Sequence, residues 1–173
     1  MNDVSGLTLP QIEAFLEASG LPYEIWPCDD SLADTAAFCA AYGIDVADSA
    51  NTIMVATKEE HPRYVACVVL ATHRLDVNGV VRRRLGARKV SFAPAEATAA
   101  LTDMVMGGVT PFGLPDNIEV WVDAAVMERS EIVTGGGSRA IKLRHAPAAL
   151  RALPTVQIVE SLAQPLPPPD ADA

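Results

Sequence analysis

The sequence predicts a mixed α/β domain, with helices packed around a curved, mixed β-sheet. Three observations carry this reading. Segments with helix start and stop signals are interleaved with short runs of β-branched and apolar residues. The interleaving lacks the regular βαβ alternation of a purely parallel sheet, and some of the strand-like runs sit close together, as in hairpins. The chain has 173 residues, 50% of them hydrophobic, which suits one domain with a sizeable core. That domain is expected over residues 1–163. Residues 164–173, Pro-rich and polar, lack the pattern needed to pack and are expected to be a disordered tail.

The elements follow in order. Thr8 to Pro10 is a helix start, with Pro near the first helical position, where its missing N–H costs nothing. Ile12, Phe15 and Leu16 form an apolar stripe, and Gly20 ends the helix. Residues 23–26 read as a strand. Asp30 or Ser31 is placed to cap a second helix over residues 33–42, closed by Gly43. Residues 52–56 and 64–70 read as buried strands, with the polar stretch 57–63 turning between them. A third helix is expected over 76–85, ended by Gly86, then a strand over 89–92 and an Ala-rich helix over 94–101. Residues 119–122 read as a strand. Residues 131–133 and 140–143 flank a Gly-rich segment like a hairpin, Pro147 opens a last short helix, and 156–159 is the final strand.

Composition narrows the function classes. A formal net charge of −9 disfavours a general DNA or RNA coat, because phosphate repels an acidic chain at long range. It leaves open an enzyme that touches only the end of a nucleic acid. The cations are clustered: Arg82, Arg83, Arg84, Arg88 and Lys89 form one group, and Arg139, Lys142 and Arg144 another. No apolar run approaches the length of a membrane span, and the first residues show no secretory pattern. Cys28, Cys39 and Cys67 read as reduced thiols, so a cytoplasmic location is expected. With His61, His73 and His145 they match no metal motif.

Two segments carry the chemistry. Gly107-Gly108-Val109-Thr110-Pro111-Phe112-Gly113-Leu114-Pro115 pairs glycines, which let backbone approach a ligand, with prolines that stiffen the exit. Exposed amides in such a loop suit a carbonyl or phosphate oxygen. The same loop also serves as a tight connection from helix to strand. The second segment is Gly135-Gly136-Gly137-Ser138-Arg139.

In wording and order these segments, with the preceding helix and strand, resemble the YbaK / prolyl-tRNA-synthetase-associated domain family over residues 9–162. Its members hydrolyse mischarged aminoacyl-tRNAs. The resemblance implies a barrel-like mixed sheet. It also implies a free-standing deacylase that acts on the aminoacyl-tRNA 3′ end and clears a small amino acid, with tRNA-Pro as one substrate. An aminoacyl-tRNA synthetase is an implied partner, and neither cofactor nor metal is implied. The amides of Gly107, Gly108 and Val109 would stabilise the ester oxyanion. Thr110 would add a hydroxyl, or bond its own turn. Pro111 would stiffen the wall. Gly136, Gly137 and Ser138 would cradle a ribose or phosphate and Arg139 would pair with phosphate, unless they form a plain hairpin turn with a solvated arginine. His73 would face the pocket, or stand as a polar loop residue. Asp123, where the family often has Asp, reads as a cap for the following turn.

Asn51 departs from the pattern. The family commonly places a lysine at the start of the first buried strand, and here the stretch reads Ser49-Ala50-Asn51-Thr52-Ile53-Met54-Val55. Asn can donate and accept hydrogen bonds but lacks the ammonium's charge. This supports an alternative from another class, a non-catalytic module binding aminoacyl-tRNA, a nucleotide or a protein partner. A hydrolase of some other small ester is a third reading.

Overall fold

The computed structural model of the chain describes residues 8–32 and 34–167. Its strands are β1 (Tyr23–Pro27), β2 (Ala50–Thr57), β3 (Tyr64–Leu70), β4 (His73–Leu75), β5 (Val90–Phe92), β6 (Glu119–Asp123), β7 (Ile132–Gly135), β8 (Ile141–His145), β9 (Val156–Val159) and β10 (Ala163–Pro165). The helices are α1 (Pro10–Ser19), α2 (Thr35–Tyr42), α3 (Arg82–Leu85), α4 (Ala95–Thr102) and α5 (Ala124–Met127). The main sheet has the order β5-β2-β3-β6-β9; β3-β6 and β6-β9 are parallel and the other pairs antiparallel, so the sheet is mixed, as expected. A second sheet has the order β1-β8-β7, and β10 pairs with β4. A bridge between Ser49 and Val133 ties the second sheet to the approach of β2.

β3 shows why the main sheet forms. Ala66, Val68 and Leu70 enter one apolar cluster, while Val65, Cys67 and Val69 enter another on the opposite face. Successive side chains of a strand alternate faces, so a strand covered on both sides reads as an unbroken apolar run. Burial alone pushes the Cys67 thiol up to about 12, which makes it an inert core filler.

Some expectations are corrected. Helix α2 is capped by Asp34, whose carboxylate accepts from the Ala37 N–H at 3.1 Å. Ser31 is engaged instead by the Asp29 carboxylate, at 2.9 Å from its amide and 2.7 Å from its hydroxyl, and residues 30–32 form a short 3₁₀ turn. The expected first residue of that helix, 33, lies outside the described residues. The third helix opens with a wide turn, Val77–Val81, before the α-helical turn Arg82–Leu85; Asp76 caps it. The packed chain also runs past residue 163. Gln164 and Pro165 belong to β10, paired with Arg74 and His73, and the Leu166 N–H donates to the Thr72 carbonyl at 2.9 Å. Edge pairing of this kind needs no apolar side chains, so composition misses it. The remainder of the expected tail, 168–173, lies outside the described residues. Asp123 is only 2% exposed, and its side chain does not cap α5; it accepts from the Ala163 N–H at 3.2 Å.

His145 is buried on β8. Its Nδ1 lies 3.0 Å from the Ala146 carbonyl, which can only accept, so Nδ1 carries the proton. Nε2, 3.0 Å from the Thr134 hydroxyl, is then the acceptor. Burial lowers the His145 pKa below the usual 6.5, opposed by the bond to Ala146.

Two tests follow from these contacts. Ending the chain at Leu162 removes the β10 ladder and leaves the buried Asp123 carboxylate short of a donor, a loss of ~1–3 kcal/mol. Thermal unfolding should show Tm lower by several degrees; an unchanged Tm would show that β10 contributes nothing. For His145, the unfolded chain binds a proton below about pH 6.5 that the folded site refuses. Its stabilisation is therefore fully present above that pH and declines as pH falls toward the lowered folded value. Tm measured between about pH 7 and 5.5 should fall less in His145→Gln than in the natural chain.

Candidate functional site

A cavity of about 220 Å³ opens where the start of β2 meets the β7–β8 hairpin and the first Gly-rich loop. Ser49, Ala50, Asn51, Thr52 and Ile53 line one wall, and Met106, Gly107 and Val109 of the loop line the next. Val133, Thr134 and Gly135 of β7 and Lys142 of β8 complete it.

The two Gly-rich loops form this cavity by locking together through backbone. The Gly137 N–H donates to the Gly108 carbonyl at 2.6 Å, and the Val105 N–H donates to the Gly137 carbonyl at 3.2 Å. A Cβ on Gly108 would stand 2.5 Å from the Ser138 carbonyl oxygen, and one on Gly135 would stand 2.5 Å from the Val109 carbonyl oxygen. Glycine is therefore required at both positions for close approach. The loop is also anchored from below, where Phe112 packs edge-on against His145 with ring centroids 4.9 Å apart.

The expected site residues separate into three groups. Asn51, Gly107 and Val109 line the cavity. Among the described residues, the Gly107 and Val109 amides have no hydrogen-bond partner, whereas the Gly108 N–H donates to the Val105 carbonyl at 2.9 Å. Gly108, Gly136 and Gly137 are buried and do not line the cavity: Gly108 and Gly137 bond each other in the seam, and Gly136 packs against Ile141. The Ser138 hydroxyl accepts from the Ala140 N–H at 3.2 Å. Arg139 is exposed, and its Nη1 lies 3.9 Å from where a Gly107 Cβ would be, so it reaches from the second loop to the first at the rim. The others lie outside the lining. Thr110 is fully buried, with no partner for its hydroxyl among the described residues. Pro111 is buried beside a different hollow, with Phe15 and Leu114. His73 is in β4, with Nδ1 3.0 Å from the Thr72 hydroxyl.

Of the lining residues that the sequence reading of the site did not name, Thr52 and Lys142 bear most on its chemistry. The Thr52 hydroxyl is buried without a partner among the described residues. Lys142 is half-buried, and burial lowers its pKa; nearby Cys28 and Cys39 oppose that shift and Arg139 adds to it. The available signal was alternation in β8, where Ile141, Leu143 and His145 are buried and Lys142 and Arg144 take the other face. Among the described residues, no group of three His, Cys, Asp or Glu is placed to hold a metal ion. A larger groove of about 680 Å³, near Asn78, Phe92 and Gln164, contains none of the expected site residues.

The model of the aminoacyl-tRNA editing domain matches residues 29–153. The chain belongs to that family. Among solved structures, a candidate trans-editing enzyme for prolyl-tRNA synthetase superposes with a TM-score of 0.76 at 21% identity, over 89% of this chain and 94% of that one. The hypothetical protein APE2540 gives a TM-score of 0.75 at 26% identity, over 86% and 97%. A signal-transduction candidate from Marinobacter aquaeolei VT8 matches at a TM-score of 0.56 and 16% identity, over 88% of this chain but 30% of its own. The editing-domain fold thus spans nearly all of the first two structures and a minor part of the third.

In this editing domain, Gly108→Ala should act through the seam. Forcing a Cβ against the Ser138 backbone should cost ~1–3 kcal/mol, lowering Tm by roughly 2–12 °C. A Tm within a degree of the natural chain would show that the loops separate without penalty.

Proposed function

We propose that this editing domain is a free-standing deacylase, hydrolysing the ester between a small, wrongly attached amino acid and the 3′ end of a tRNA. The observation that carries this reading is that Gly107 and Val109, whose amides have no hydrogen-bond partner among the described residues, line one cavity together with Asn51. Attack of water on the ester carbonyl places negative charge on its oxygen. Preorganised N–H donors stabilise that charge without rearranging at the moment of reaction, an effect of about 2.7–4 kcal/mol per donor where it has been measured. The bond from carbonyl carbon to ribose oxygen then breaks, the ribose oxygen takes a proton, and the amino acid leaves as a carboxylate. Asn51 is placed to hold either the nucleophile or the ester by hydrogen bonding.

Ala50, Ile53, Val109 and Val133 give the cavity apolar walls, and Met106 stands at the edge with 52% exposure. Pocket size would set amino-acid choice, with each methylene worth about 1–3 kcal/mol. The resemblance to a candidate trans-editing enzyme for prolyl-tRNA synthetase makes tRNA-Pro the first substrate to try and that synthetase the first partner. An acidic chain would meet tRNA locally, through Arg139 at the cavity rim, rather than along an extended duplex. No helix among the described residues is long and apolar enough to cross a membrane, and we place the activity in the cytoplasm.

The test is deacylation of tRNAs charged with Ala, Cys, Ser, Thr and Pro. Selective hydrolysis of one charged tRNA is expected, with Asn51→Ala slowed by roughly tenfold for one lost hydrogen bond. Folded protein that hydrolyses none of them would instead be a binding module.

A further inference from the structure

We propose that Lys142 supplies the positive charge of this pocket and binds the anionic centre of the substrate, either the terminal phosphate of the tRNA end or the oxyanion formed from the ester. This rests on the deacylase reading. The charge that the family commonly carries at the start of β2, where Asn51 stands here, would then come from β8.

The argument begins with the strand register. Lys142 pairs with Gly135 on one side and Trp26 on the other. Directly opposed residues of an antiparallel pair share a face, so Lys142 stands on the side of the sheet where the Val109 and Gly108 carbonyl oxygens crowd Gly135, next to the first Gly-rich loop. The ammonium lies 5.7 Å from the centre of the Phe38 ring, which steadies it without supplying a negative charge. Among the described residues, no carboxylate pairs with it. Arg144, two positions along on the same face, shows the contrast: it pairs with both Glu24 and Glu131 and stacks 5.1 Å from the Trp26 ring. The chain has 22 acidic against 13 basic residues, yet among the described residues the cavity lining contains no Asp or Glu. Its lining residues carry donors that have no acceptor among the described residues: the Lys142 ammonium, the buried Thr52 hydroxyl and the amides of Gly107 and Val109. A half-buried cation with no counter-ion among the described residues is costly, and an anion arriving with the substrate would offset that cost.

Steady-state deacylation of whichever charged tRNA the panel selects should be compared for the natural chain, Lys142→Met, Lys142→Arg and the double variant Asn51→Lys/Lys142→Met. Methionine keeps an apolar stem against Phe38 and removes only the charge. Its kcat/KM should fall roughly tenfold to hundredfold, arginine should retain most of the activity, and the double variant should recover to within a few-fold of the natural chain. A loss confined to KM assigns the charge to the phosphate, and a loss in kcat assigns it to the oxyanion. If the natural chain is active and Lys142→Met remains within twofold of it, this proposal falls while the deacylase reading stands. The proposal also falls if neither arginine nor the relocated lysine restores activity in proteins with unchanged Tm. A natural chain inert on every charged tRNA overturns both.

Discussion

The site depends on one contact, the backbone seam between the two Gly-rich loops. Through Gly108 and Gly137 the loops exchange hydrogen bonds that side chains would block, because the space beside Gly108 and Gly135 is already filled by neighbouring carbonyl groups. The seam has a structural base. Phe112 rests on His145, which Thr134 holds from the adjacent strand, so the first loop is fixed to the β7–β8 hairpin. The Ser49–Val133 bridge brings the start of β2 to the same hairpin. Three segments far apart in sequence thereby converge on one cavity, and Gly107 and Val109, which line it, are held in place by the fold. Such preorganisation is what makes a backbone donor effective in stabilising developing charge.

Electrostatics divides the cations by their partners. Arg84 lies over the Trp121 ring at 4.9 Å and donates to Gln157 at 2.7 Å, while Arg82 donates to the Asn78 carbonyl at 2.8 Å. Neither residue lines the cavity, and the run of three arginines spreads around its short helix rather than facing one ligand. In the second cluster Arg144 is neutralised by two glutamates, Arg139 reaches across the rim and Lys142 enters the cavity. A strongly acidic chain thus places a small amount of positive charge at the lining and rim of this one cavity.

Element types were legible wherever the local signal was strong. The strand at 156–159, the buried strand at 64–70 and the first helix from Pro10 all stand where periodicity and stop signals put them, although 156–159 is not the last strand as expected. Strands β4 and β10 were not legible, because they pair through backbone at an edge and carry His, Arg, Gln and Pro rather than an apolar pattern. The cap of α2 was displaced because Asp29 competes for Ser31, a choice between two equally plausible Asx contacts that sequence does not rank.

The sequence by itself determined the fold class, the editing-domain resemblance and the glycines that let backbone come close, because these rest on residue types and short spacings. It also marked the absence of lysine at position 51. Only the tertiary structure decided which donors reach the cavity. Gly107, Gly108 and Val109 look equivalent in the chain, yet Gly108 spends its N–H on Val105 while the other two amides have no partner among the described residues. Lys142 and Arg144 look alike as alternate residues of one strand, yet one meets two carboxylates and the other meets a glycine and an aromatic ring. The physical reason is the same in both cases. A polar group's function depends on which partners the fold brings within hydrogen-bonding distance, and those partners come from segments that spacing along the chain does not relate.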